Sequence, residues 1–226
     1  MDHAADPDGR TPPGIPGLTA LVERATRLLD QPGRAVLGIV GPPGAGKSTL
    51  TERLLARLAD DLGPDAVAHL PMDGFHLADV QLGRLGRRDR KGAPDTFDVD
   101  GYVAALRRLH AEPDRTLYAP GFERDLEQPV AAAIAIEPTA RLVVTEGNYL
   151  LLPDGGWDRV RPLLAEAWYV DLDPGVRRER LVRRHERYGK SPGAARSWVT
   201  RVDEPNAQRV TATRDAADLV VRLDGP

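Results

Sequence analysis

Gly41-Pro42-Pro43-Gly44-Ala45-Gly46-Lys47-Ser48-Thr49 fits the spacing G-x-x-x-x-G-K-[ST] of a phosphate-binding P-loop, and it decides the fold. The flanking residues supply the context this motif requires. Ala35 to Val40 (AVLGIV) is an apolar run of strand length, and Leu50, Leu54, Leu55 and Leu58 recur at helical spacing after Lys47. A strand turning through glycines into a helix lets the backbone wrap closely around an anion. Several N–H groups then point inward, and the helix N-terminus adds its partial positive charge. In this geometry Lys47 reaches the β- and γ-phosphates of a nucleotide, and the Ser48 hydroxyl ligates Mg²⁺.

The rest of the chain reads outward from that loop. Upstream, Leu18, Leu21, Val22, Ala25, Leu28 and Leu29 mark an amphipathic helix, and residues 1–16 read as a disordered or loosely packed tail. Residues 17–226 read as a single domain. Downstream, strands are expected near 66–71, 141–145, 167–172 and 218–223, each separated by helical pattern. Such alternation predicts an α/β fold: a mainly parallel five-stranded sheet, with right-handed crossovers and helices on both faces. Residues 79–98 and 117–125 read as loops, 130–136 as a short strand or edge hairpin, and 157–165 as a short helix. A long helix is expected over 194–214, interrupted around 203–206.

In an open parallel sheet, ligands bind beyond the carboxyl ends of the strands. Two acids fall there. Asp73 follows the second strand in Met72-Asp73-Gly74-Phe75-His76, and Glu146 follows the run RLVVT at 141–145. Asp73 is placed to accept a proton from a substrate hydroxyl or to hold a magnesium shell through water. Glu146 is placed to hold magnesium or to face a substrate. Asp173-Pro174 opens a helix that carries Arg177, Arg180, Arg184 and Arg187 on one face, a row able to close over phosphates. Lysine occurs only at 47, 91 and 190, which makes Lys91 a more pointed signal than its arginine neighbours.

Composition excludes other classes. The chain has 226 residues, 41% of them hydrophobic and 29% charged, as in a soluble globular protein. A net charge of −3 gives no reason to expect nucleic acid or an anionic membrane as partner. With no cysteine, disulfides, thiol chemistry and cysteine-ligated metals are excluded. The N-terminal stretch lacks the basic start and apolar core of a signal peptide, so a cytoplasmic location is expected. A GTP-hydrolysing switch would need an Asn-Lys-x-Asp motif, and neither Asn148 nor Asn206 begins one. A nucleotide-binding regulatory module without catalysis shares the P-loop but has no use for Asp73. A homodimer is left open.

The P-loop, MDGFH at 72–76, RKGAPDTFD at 90–98, TEGNYLLL at 145–152 and the arginine helix at 177–187 resemble the phosphoribulokinase, uridine kinase and pantothenate kinase group. Within it they look closest to the bacterial nucleoside/nucleotide kinase-like branch, which includes pantothenate kinase-related and fructose-transport-associated kinases. The resemblance spans about 34–224. It implies ATP-dependent phosphoryl transfer to a hydroxyl of a small metabolite, with ATP and Mg²⁺ as cofactors and Asp73 as the catalytic aspartate. Lys47 and Ser48 are then the phosphate and magnesium groups, Arg180 and Arg184 belong to the lid, and Asn206 lies near the nucleotide. His76, Arg90, Lys91, Arg124, Glu146, Asn148 and Tyr149 fall in blocks that shape the acceptor side. Pantothenate, a nucleoside and a sugar all stay open as acceptor.

Overall fold

The computed structural model describes residues 17–223, so the expected N-terminal tail lies outside the described residues. The order begins α1 (Leu18–Arg27), β1 (Ala35–Val40), α2 (Lys47–Leu62), β2 (Val67–Pro71), α3 (Asp79–Leu85) and α4 (Val99–Ala111). It continues with β3 (Leu117–Glu123), β4 (Gln128–Ile136), β5 (Leu142–Gly147), β6 (Glu166–Asp171) and α5 (Pro174–Arg187). The last elements are α6 (Pro192–Trp198), α7 (Glu204–Thr211) and β7 (Leu219–Arg222).

Five strands form one sheet in the order β2-β5-β1-β6-β7, every pairing parallel. The central strands are apolar because both faces are covered. Their side chains alternate between two cores. Leu37 and Ile39 of β1, with Leu142, Val144, Trp168 and Val170, pack on α1 and α2 through Leu21, Ala25, Leu50, Leu54 and Leu58. Val36, Val40 and Val143 face the other way, against Tyr102, Leu106 and Leu109 of α4 and the ring of Trp157. Because the strands are parallel, β1, β2, β5 and β6 all end on one edge, and β1 lies where the chain order switches between β5 and β6.

Aspartates cap two of the helices. Asp98 accepts from the Gly101 amide at 2.9 Å at the head of α4. Asp173 accepts from Gly175 at 2.8 Å and Val176 at 3.0 Å ahead of Pro174.

Four expectations are corrected. Residues 117–125 hold a strand, since β3 pairs antiparallel with β4 in a separate two-stranded sheet. Its register shifts between Ala119 and Gly121, and that irregularity takes Pro120, which has no amide to donate to a ladder. The stretch 79–98 holds α3 and two short turns; only Leu82 of that helix is buried, so it leaves no apolar stripe to read. The helix expected over 157–165 is two 3₁₀ turns, 157–159 and 161–163, divided at Val160, with Pro162 inside the second. The long C-terminal helix is α6 and α7 joined through a wide turn at Val199–Asp203.

Candidate active site

The P-loop joins β1 to α2, and two of its glycines are forced by geometry. Gly44 has φ +78°, and a Cβ there would sit 2.8 Å from Leu181 Cγ of α5. Gly46, at φ +93°, is the left-handed residue ahead of α2. Among the described residues, the amides of Gly44, Gly46, Lys47 and Ser48 donate to no backbone or side-chain acceptor. A concave turn of unsatisfied N–H groups at a helix N-terminus fits a chain of phosphates. Gly41, Pro42 and Ala45 serve the loop from beneath: all three are buried, and the Pro42 carbonyl accepts from Lys47 Nζ at 3.2 Å. Pro43, Gly44, Gly46, Lys47, Ser48 and Thr49 line the cleft itself.

Lys47 is fixed by more than the loop. Its Nζ donates to Asn148 Oδ1 at 2.6 Å, tying the start of α2 to the segment after β5. Burial pushes its ammonium down to about 8, opposed by the carboxylates of Glu146 and Asp73. Ser48 Oγ donates to Glu146 Oε2 at 3.1 Å. Burial raises the Glu146 carboxyl above the usual range, with Lys47 pulling the other way. Among the described residues there is no cluster of three or more His, Asp or Glu able to hold a metal. The Ser48–Glu146 pair nevertheless fits Mg²⁺, which takes few protein oxygens and keeps water and phosphate as its other ligands.

Asp73 lines the same cleft from the turn after β2, beside Arg124, whose guanidinium lies 3.9 Å from Asp73 Oδ2. The turn is held close to β3 by Gly74, whose missing Cβ would fall 2.0 Å from the Pro120 carbonyl oxygen. Gly74→Ala must therefore push Asp73 away from the hairpin. Acceptor turnover is expected to fall ~10–100-fold with nucleotide affinity unchanged. Unchanged turnover would show that the close approach does not position Asp73.

The sheet edge and the two flanking segments enclose a cleft of about 1370 Å³. His76, Lys91, Arg124, Glu146, Asn148, Arg180, Arg184 and Asn206 all line it. Two sequence candidates do not. Arg90 points to the surface, where it pairs with Asp95 at 2.7 Å. Tyr149 is fully buried; its ring packs against Phe97 and Trp157, and its hydroxyl donates to the Gly92 carbonyl. Tyr149 therefore shapes the 90–98 loop from behind, and neither residue is placed to touch an acceptor.

No family model matches the chain. A Schizosaccharomyces pombe protein named "Putative uridine kinase C227.14" is 35% identical over 177 residues, 76% of this chain and 75% of that protein. Escherichia coli YggC is 36% identical over 190 residues, 84% of this chain and 78% of its own. The crystal structure of a "putative fructose transport system kinase" from Silicibacter sp. superposes with a TM-score of 0.81 at 34% identity, covering 90% of this chain and 98% of that one. The chain belongs to the P-loop kinases of the phosphoribulokinase, uridine kinase and pantothenate kinase group.

In this P-loop kinase the four arginines of the row Arg177, Arg180, Arg184 and Arg187 on α5 do not act alike. Arg180, Arg184 and Arg187 line the cleft, whereas Arg177 is buried. Arg177 pairs with Glu204 of α7 and donates to the Pro43 carbonyl at 3.3 Å, pinning the lid helix to the P-loop. Arg177→Met should cost ~3 kcal/mol of stability in denaturant unfolding, because it leaves Glu204 without its buried partner. Adding Glu204→Leu should recover part of the loss; a cost below ~1 kcal/mol would remove the pinning role.

Two histidines that sequence reasoning missed also lie at the site. His69, on β2, places Nε2 3.9 Å from Glu146 Oε1 and has no hydrogen-bond partner for that nitrogen. Burial lowers its imidazole to about 4, so it faces Glu146 as a neutral ring. One signal was available: a lone imidazole in an otherwise apolar strand beside a strand-end acid. His185 of α5 meets Asp203 at 2.8 Å on the cleft wall, joining α5 to the turn between α6 and α7. Among the described residues no helix is long and apolar enough to cross a membrane.

Proposed function

We propose that this chain is an ATP- and Mg²⁺-dependent kinase that phosphorylates a hydroxyl of a small metabolite. One observation carries the reading: the cradle around Lys47 and the Asp73 carboxylate open onto a single continuous cleft. A carboxylate at that place is what an alcohol acceptor needs and what a nucleotide switch does not.

When bound, MgATP supplies the phosphoryl group, and the cation offsets the charge gathering on it. The amides of the P-loop and Lys47 Nζ bind and orient the phosphates. Asn148 and the Pro42 carbonyl hold Lys47 in place, so its ammonium needs no rearrangement during transfer. Ser48 and Glu146 are the residues that would hold Mg²⁺. Asp73 takes the proton from the acceptor hydroxyl at a carboxylate oxygen, and Arg124 orients that carboxylate. Arg180 and Arg184 add positive charge from the lid and exclude water. Asn206, buried at the cleft wall, borders the nucleotide side. The enzyme works on free metabolites in the cytoplasm, without nucleic acid or membrane as partner.

The reading is tested by ADP formation from MgATP with and without a panel of hydroxylated metabolites. Acceptor-stimulated ADP release is expected. Nucleotide binding with no stimulation across the panel would favour a regulatory module.

A further inference from the structure

The cleft is charged differently at its two ends. The lid end presents Arg180, Arg183, Arg184, Arg187 and Lys190, opposed on the same segments by Asp203. The Asp73 end has three cations, and each already faces an acid. Lys91 Nζ donates to Asp79 Oδ1 at 2.7 Å and also to the Glu127 carbonyl. Arg88 donates to the other oxygen of Asp79 at 2.8 Å. Arg124 faces Asp73 at 3.9 Å. Beyond these pairs, Asp125 and Glu127 bring two more carboxylates to the cleft, neither with a side-chain partner among the described residues. The wall between them is aromatic: the His76 ring lies 4.0 Å from Phe97 and 4.9 Å from Phe122, and all three border the cleft.

From this we infer that the acceptor is an uncharged alcohol with a flat or apolar flank, rather than a phosphorylated sugar or a carboxylate. The inference rests on the kinase reading above. An anionic acceptor would have to displace an existing ion pair or sit unpaired beside Asp125 and Glu127, and like charges in a cleft discriminate strongly against the wrong partner. An uncharged molecule meets no such penalty. It can lay an apolar face on Phe122 and His76 while its hydroxyls bond the carboxylates.

Matched pairs test this. Fructose and fructose 1-phosphate, pantothenol and pantothenate, and uridine and orotidine each differ mainly by one anionic group. ADP formation from MgATP is measured with each member, alongside nucleotide binding. Stimulation confined to the uncharged members, or at least ~10-fold greater kcat/KM for them, is the expected result. Equal or better use of an anionic member overturns the inference and leaves the kinase reading intact. No stimulation by any member, with ATP still bound, overturns both. Asp125→Lys and Glu127→Lys, at the exposed tip of the β3–β4 hairpin, give a second reading. Each should raise kcat/KM for the anionic member relative to its uncharged partner by ~10-fold, and an unmoved ratio counts against the inference.

Discussion

Asp73→Asn is expected to bind MgATP as the parent does and to phosphorylate its acceptor ~10²–10⁴-fold more slowly. The substitution keeps the shape of the side chain at the end of β2 and removes its capacity to take a proton. The P-loop contacts of Lys47 and Ser48 do not involve Asp73, so the nucleotide cradle stays intact. The loss should therefore appear in kcat, with nucleotide affinity unmoved. Retention of more than about a tenth of the parent rate would reassign the base, since general-base removal costs at least ~10²-fold.

The second large effect is on stability and lies away from the cleft. Arg34, immediately before β1, is 8% exposed and donates only to backbone carbonyls. Its Nε meets Ala140 at 2.7 Å, and its two terminal nitrogens reach Leu109, Pro113, Glu137 and Pro138. One guanidinium thus satisfies the C-terminal end of α4 and the turn between β4 and β5. Burial lowers its pKa, the mark of a cation held by dipoles away from water. Arg34→Met leaves those carbonyls buried and unpaired, at ~1–3 kcal/mol for each that water cannot reach, and a total loss of ~3–5 kcal/mol is expected in denaturant unfolding. Arg34→Lys should recover only part, because an ammonium has three donors and no fork. A loss under ~1 kcal/mol would mean that water replaces the guanidinium at little cost.

The sequence makes legible those parts where local pattern and tertiary role coincide. β1, β5 and β6 are apolar on both faces, so their runs stand out; the end of β5 carries Glu146, and Asp73 follows β2 on the same edge. The cap at Asp173 is local chemistry and was equally readable. β4 was readable in part as a short strand or edge hairpin over 130–136, but β3 was not, because Pro120 and Gly121 are breakers in isolation and only the cross-strand pairing absorbs them. Arg90 and Lys91 are neighbours in one block, yet a short turn sends Arg90 to Asp95 at the surface and Lys91 into the cleft. The arginine row of α5 has a single periodicity, but Arg177 is claimed by Glu204 and Pro43, contacts between segments that no spacing reveals. Tyr149 follows Asn148 directly; the asparagine turns to Lys47 while the tyrosine fills the core behind the 90–98 loop.

The central claim is that one cleft brings nucleotide phosphates and an acceptor hydroxyl together beside Asp73. Phosphorus NMR of the protein with MgATP and the uncharged alcohols fructose, pantothenol and uridine tests it most directly, because it identifies where the phosphoryl group goes. The account predicts a growing phosphomonoester resonance with at least one alcohol, matched to ADP and abolished in Asp73→Asn. Release of inorganic phosphate alone, at the same rate with or without every alcohol, would contradict it.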